Sequence, residues 1–134
     1  MKQLYAMQEA TDTGTLQVNV TSRVQNTPIK GATITLSYSG DPDATLESLQ
    51  TDESGQTQTV TLDAPPVEYS LDSSQENQPF SLYTIQIRAE GYQPLNISGI
   101  EVFSTIKAIQ NVVLTPLDYT GRFRESIDLP VYTL

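Results

Sequence analysis

Apolar and polar residues alternate along most of this chain with a period of two, the mark of strands that bury one face. Leu16, Val18 and Val20 alternate with Gln17, Asn19 and Thr21, and Ala32, Ile34, Leu36 and Tyr38 with Thr33, Thr35 and Ser37. A weaker stretch over 45–51 holds Leu46 and Leu49 out of strict alternation, which leaves its face open. Gln58, Val60 and Leu62 share one face of a fourth strand over 56–62. Ala64-Pro65-Pro66 ends that strand, because proline cannot donate into a ladder. The cleanest strand spans 81–90, with Tyr83, Ile85, Ile87 and Ala89 on one face and Leu82, Thr84, Gln86 and Arg88 on the other. Leu95 and Ile97, then Ile100 and Val102 beyond Ser98-Gly99, predict a strand pair or one bulged strand. The last strand runs through Ile109, Val112, Val113 and Leu114 to a stop at Thr115-Pro116.

Turn chemistry punctuates these segments. Thr27-Pro28-Ile29-Lys30-Gly31 breaks the first ladder, and Gly40-Asp41-Pro42-Asp43 forms a turn or loop. Asp52-Glu53-Ser54-Gly55 carries Asp at the first and Gly at the fourth position of a type I turn. Residues 64–80 hold three Pro with several Ser, Gln and Asn, and are expected to form the longest and most mobile loop. About seven short strands, with no helical period and no internal repeat, predict an all-β, seven-stranded Greek-key β-sandwich. The expected organisation is a flexible lead-in over 1–13, one domain over 14–116 and a tail or linker over 117–134.

Composition sharpens this picture. Thr, Ser and Gln number 17, 12 and 12, together 41 of 134 residues, and Thr suits the exposed face of a pleat. Sixteen carboxylates against seven Lys and Arg give a net charge of −9, which opposes nucleic acid and anionic membranes as partners. No run of 18 apolar residues predicts a transmembrane helix. The N-terminal residues lack the apolar core of a signal peptide, so the expected location is the cytoplasm as synthesised or, after processing, a wall or spore. The chain has no His, Cys or Trp. That removes imidazole bases and metal ligands, thiolate chemistry, disulfides, zinc–thiolate sites and Trp sugar platforms.

Gly14-Thr15-Leu16-Gln17-Val18, Pro28-Ile29-Lys30-Gly31-Ala32, Thr51-Asp52-Glu53-Ser54-Gly55 and the stretch from Tyr83 to Ala89-Glu90-Gly91-Tyr92 follow one another in a distinctive order. Over about residues 14–115 this string resembles the carboxypeptidase regulatory-like domains, which implies a prealbumin-like (transthyretin-like) sandwich. Gly55 would close a hairpin at positive φ, and Tyr92 after Gly91 would fold back over the sandwich end, as a tyrosine corner does. Ser98-Gly99-Ile100-Glu101-Val102-Phe103, with Ile109-Gln110-Asn111-Val112 and Leu114-Thr115-Pro116, is similar to the N-terminal domain of clostridial spore cortex-lytic and peptidoglycan-binding proteins. The resemblance implies an accessory role beside a lytic or wall-binding part. It carries no hydrolase activity over to these residues.

Fold relatives with known chemistry need parts that this chain lacks. Hydroxyisourate hydrolases need His and a C-terminal Tyr-Arg-Gly-Ser, and intradiol dioxygenases hold iron with two His and two Tyr. Starch-binding sandwiches usually rely on Trp pairs, and isopeptide adhesins need a Lys on the first strand, where residues 16–20 have none.

Asp41, Asp43, Asp52 and Glu53 have the spacing of turn residues on an acidic surface, with only a faint likeness to a calcium loop. Asp72 and Glu76 belong to the long loop, and Arg122 and Arg124 to the tail. Asn19-Val20-Thr21 and Asn96-Ile97-Ser98 match a glycosylation pattern but fall in strands. Among the aromatics, Tyr83 belongs to the apolar face, whereas Tyr69 and Phe80 flank the loop and are the candidate ligand-binding residues. The expectation is a monomeric, non-catalytic accessory domain without cofactor or metal, docking a protein partner in a cell-wall or spore context. The alternative is a module that binds a cell-wall or dietary glycan.

Overall fold

A computed structural model describes residues 12–66 and 80–119. They form seven strands: β1 (Asp12–Ser22), β2 (Thr33–Tyr38), β3 (Thr45–Gln50), β4 (Val60–Ala64), β5 (Phe80–Arg88), β6 (Leu95–Phe103) and β7 (Lys107–Leu114). The first strand begins at Asp12, ahead of the expected boundary at Gly14. Three strands build one sheet in the order β4-β1-β7, and four build the other in the order β3-β2-β5-β6. β1 and β7 run parallel, pairing Thr15 with Lys107 through Ser22 with Leu114, while the other ladders are antiparallel. This is the prealbumin-like sandwich.

The inner faces carry the alternating residues. Leu16, Val18 and Val20 of β1 face Ile34 and Leu36 of β2, Tyr83, Ile85 and Ile87 of β5, and their neighbours, in one buried cluster. Each fully buried Val, Leu or Ile stabilises the fold by about 1.5–3 kcal/mol, so these residues hold the two sheets together.

Three local features depart from, or decide between, the expected patterns. β4 starts at Val60 rather than at residue 56, because residues 56–58 reach β1 through single links instead of a ladder. The Thr57 hydroxyl accepts from Val18 N–H at 3.0 Å, taking the place of a strand carbonyl. β6 is one bulged strand: Gly99 at φ +77° shifts the parity, so that Ile97 faces the core before it and Ile100 and Val102 after it. On β7 the apolar run divides, with Val112 and Leu114 buried while Ile109 and Val113 point outward.

The expected turn at Asp52 is present. Gly55 N–H donates to the Asp52 carbonyl at 2.9 Å, and the Asp52 carboxylate accepts from Ser54 and Gln56 N–H. Gly55 sits at φ +76°, and a Cβ there would lie 2.5 Å from the Val20 carbonyl oxygen, which only glycine tolerates.

Candidate functional site

The strands bring aromatic residues together at one end of the sandwich. Tyr38 at the end of β2 lies opposite Tyr83 near the start of β5, and their rings stack with centroids 5.1 Å apart and 24° between planes. Both share the phase of the core residues of their strands, Tyr38 after Ile34 and Leu36 and Tyr83 before Ile85 and Ile87, but Tyr38 at the rim stays 38% exposed. The Tyr83 ring is fully buried, and its hydroxyl donates to the Asp63 carbonyl at 2.7 Å. The Tyr38 hydroxyl donates to the Asp63 carboxylate at 3.2 Å. Asp63 of β4 therefore ties both tyrosines of the opposite sheet to the three-stranded one.

Burial pushes the Tyr83 phenol well above the ordinary tyrosine range, and the adjacent Tyr38 adds to the shift. The phenol thus serves as a hydrogen-bond donor between the sheets. Nearby polar groups are also bound within the fold. The Ser39 and Thr84 hydroxyls meet at 2.9 Å, Gly99 N–H donates to Ser39 Oγ, and Ser104 Oγ donates to the Asp12 carboxylate at 2.6 Å.

Phe80 pairs in register with Phe103 of β6, the rings 5.3 Å apart and tilted by 57°. Both are half-buried, so Phe80 closes the end of the core while keeping part of its ring in solvent. Tyr69, its expected companion, lies outside the described residues, as do Asp72, Glu76, Arg122 and Arg124. Asp41, Asp43, Asp52 and Glu53 occupy exposed turns, with Glu53 3.6 Å from Lys30 in a solvent-exposed ion pair. Among the described residues, no group of three or more carboxylates is arranged to hold a metal ion.

Two shallow grooves flank the four-stranded sheet. One, of about 480 Å³, runs along β3 and is lined by Thr33, Ser48, Leu49, Gln50 and Gln58. The other, of about 360 Å³, lies between Gly31, Thr33 and the β5–β6 turn, where Arg88, Glu90 and Tyr92 line it. The first presents neutral amides and hydroxyls, the second one cation and one carboxylate. Both offer hydrogen-bonding side chains and backbone to solvent.

Sequence reading missed two structural anchors. The period-two pattern did place Tyr38 on the inner face, but nothing marked its partner Asp63, which sits between buried Leu62 and Ala64. Thr51 is buried, accepting from Ala32 N–H at 2.9 Å and donating to the Ile29 carbonyl at 2.6 Å, although it reads as an ordinary turn threonine.

No protein-family model matches this chain, and a search of curated proteins finds no match. Solved structures do resemble it. The minor pilin GBS52 of Streptococcus agalactiae aligns with a TM-score of 0.55 at 13% identity, over 83% of this chain and 48% of that one. The TIE protein of Bacillus anthracis gives 0.52 at 16% identity, over 78% of this chain and 17% of that one. The 3-chlorocatechol 1,2-dioxygenase of Rhodococcus opacus 1CP gives 0.53 at 13% identity, over 81% and 62%. The chain thus spans less than two thirds of each. At such identities the likeness establishes only the fold these proteins share, an all-β prealbumin-like sandwich found in a pilin and in a dioxygenase alike.

Proposed function

We propose that this chain is a non-catalytic β-sandwich accessory domain that spaces or docks proteins in a cell-wall or spore context. One observation carries the reading: the polar groups nearest the aromatic cluster and the β3 turn are engaged in bonds within the fold. Asp63 ties the tyrosines, Asp52 caps its turn, Asp12 accepts from Ser104, and Thr51 bridges two backbones. Among the described residues, exposed sheet faces and two shallow grooves are open to a partner. The sequence likeness to carboxypeptidase regulatory-like domains and to the N-terminal domain of cortex-lytic proteins supports the setting. So does the sharing of this fold with a Gram-positive pilin and the TIE protein.

The test is co-sedimentation of the purified chain with peptidoglycan sacculi, in parallel with pull-down of wall proteins encoded beside it. Retention by either supports the reading, and failure of both removes the wall setting. A glycan-binding role would use the exposed part of the Phe80 ring beside Phe103. Glycan-array binding unchanged by Phe80→Ala would exclude that assignment.

A further inference from the structure

In a molecule of net charge −9, β1 and β7 are almost free of charge on the outer face of the three-stranded sheet, whereas β4 at its far side exposes Asp63. Between Thr13 and Ser22 β1 has no ionisable side chain, and from Val102 to Leu117 the one charged residue is Lys107. The same stretch collects exposed apolar side chains: Ile106 (53%), Ile109 (55%), Val113 (46%) and Leu117 (62%). β7 ends its sheet, paired with β1 on one side and, among the described residues, with no strand on the other. An exposed edge with apolar side chains and no guarding charge is a template for strand pairing.

We propose that two copies of this chain associate by antiparallel pairing of their β7 edges, joining two three-stranded sheets into one of six strands. Self-complementarity selects a second copy as the occupant, and charge selects the edge. Two molecules carrying −9 repel each other over most of their surfaces, and β7 is the edge at which they can meet without opposing carboxylates. A two-fold contact must be self-complementary. With Asn111 on the axis, Ile109 of each copy lies across from Val113 of the other on the outer face, and the apolar side chains cover one another. The inference replaces the expected monomer and stands independently of the accessory-domain reading.

The contact contains no ion pair, so salt weakens the general repulsion and leaves the contact itself intact. Light scattering coupled to size exclusion on the full chain, up to about 0.5 mM protein, reads association into the high-micromolar range. Raising NaCl from about 0.02 M to about 0.5 M, which shortens the screening length from roughly 20 Å to roughly 4 Å, is expected to increase the dimer fraction. The double substitution Ile109→Lys and Val113→Lys is expected to lower the association constant at least about tenfold, with an unchanged thermal midpoint because both positions are exposed. The chain lacks Cys, so a single Asn111→Cys reports the axis directly. Antiparallel neighbours about 4.5–5.5 Å apart are within disulfide reach, and mild oxidation should cross-link them. Ser48→Cys on β3 should stay monomeric. A full chain that remains monomeric at high salt overturns the proposal, as does a dimer that survives the lysines or equal cross-linking at position 48. If the chain truncated after Tyr119 dimerises and the full chain does not, the edge belongs to the chain's own C-terminal segment and the proposal also fails.

Discussion

β3 and β7 are both edge strands, one on each sheet, and they solve the edge problem in opposite ways. β3 hangs beyond the three-stranded sheet, with every side chain exposed except half-buried Leu49. Five exposed carboxylates surround it: Glu47 within the strand, Asp41 and Asp43 before it, Asp52 and Glu53 after it. An incoming strand would meet that charge before it met the backbone. β7 sends Val112 and Leu114 into the core and turns Ile109 and Val113 outward, with Lys107 its one charge. The acidity of the chain is therefore not a uniform property of its surface. Among the described residues, five carboxylates lie around the β3 edge, and β7 itself carries none.

The largest expected effect tests how each strand is anchored. Leu114→Ala removes a side chain that is 1% exposed, and should destabilise the protein by about 3 kcal/mol in urea unfolding. Leu46→Ala on β3, where the side chain is 42% exposed, should cost less than about 0.5 kcal/mol. Equal costs at the two positions would mean that β3 packs on the core after all, and the contrast between the edges would fail.

Next in size is Thr51→Val. Thr51 fastens the chain just after β3 to the segment before β2, and the substitution leaves Ala32 N–H and the Ile29 carbonyl buried without their partner. A loss of about 2 kcal/mol is expected, with Thr51→Ser recovering most of it because the hydroxyl is retained. If Thr51→Val were neutral by thermal or urea denaturation, β3 would be held by its ladder to β2 alone.

The edges also mark where sequence periodicity is informative. β1 and β5 each pack one apolar face on the core and carry polar residues on most of the other, so strict alternation identified both strands and their core residues, though not the burial of Thr84. β7 ends in Val112-Val113-Leu114, and a run of three apolar residues contains no phase; only pairing with β1 decides that Val113 faces water. At β3 both faces are largely exposed, and no burial was available to impose a period. The aromatic site was half legible for the same reason. Tyr38 and Tyr83 follow their strands' inward phase, whereas Asp63 and Thr51 act through hydrogen bonds across 19 to 25 residues of chain. No local pattern records such partners.

Alkaline pH provides the third test, at the end of the molecule where the two sheets are tied by hydrogen bonds. The buried Tyr83 phenol has a pKa raised above the 10.0 of a free tyrosine, chiefly by burial. Folding therefore favours the protonated form. Its stabilising contribution is complete below pH 10 and declines as the pH rises above it, when the unfolded chain ionises first. The slope expected of one such group is about 1.4 kcal/mol per pH unit. Tyr83→Phe should be less stable at neutral pH through loss of the bond to Asp63, and should lose stability less steeply above pH 10 than the parent chain. Parallel curves for the two proteins would show that Tyr83 ionises as freely folded as unfolded.

The smallest expected change in stability bears most directly on the contrast between the edges. Asp41→Asn, Asp43→Asn and Glu47→Gln together remove three charges beside β3 without altering a buried contact. Each should shift stability by no more than about 0.5 kcal/mol. If the carboxylates guard this edge, the triple variant should gain a second mode of association through β3, forming species beyond the dimer at high concentration. Ile109→Lys and Val113→Lys should not suppress this mode, because it uses the other sheet. A triple variant that behaves like the parent would show that the overhang and twist of β3 protect it without charge. The difference between the two edges in association would then lie in their shape and apolar surface, and the charge contrast would fail.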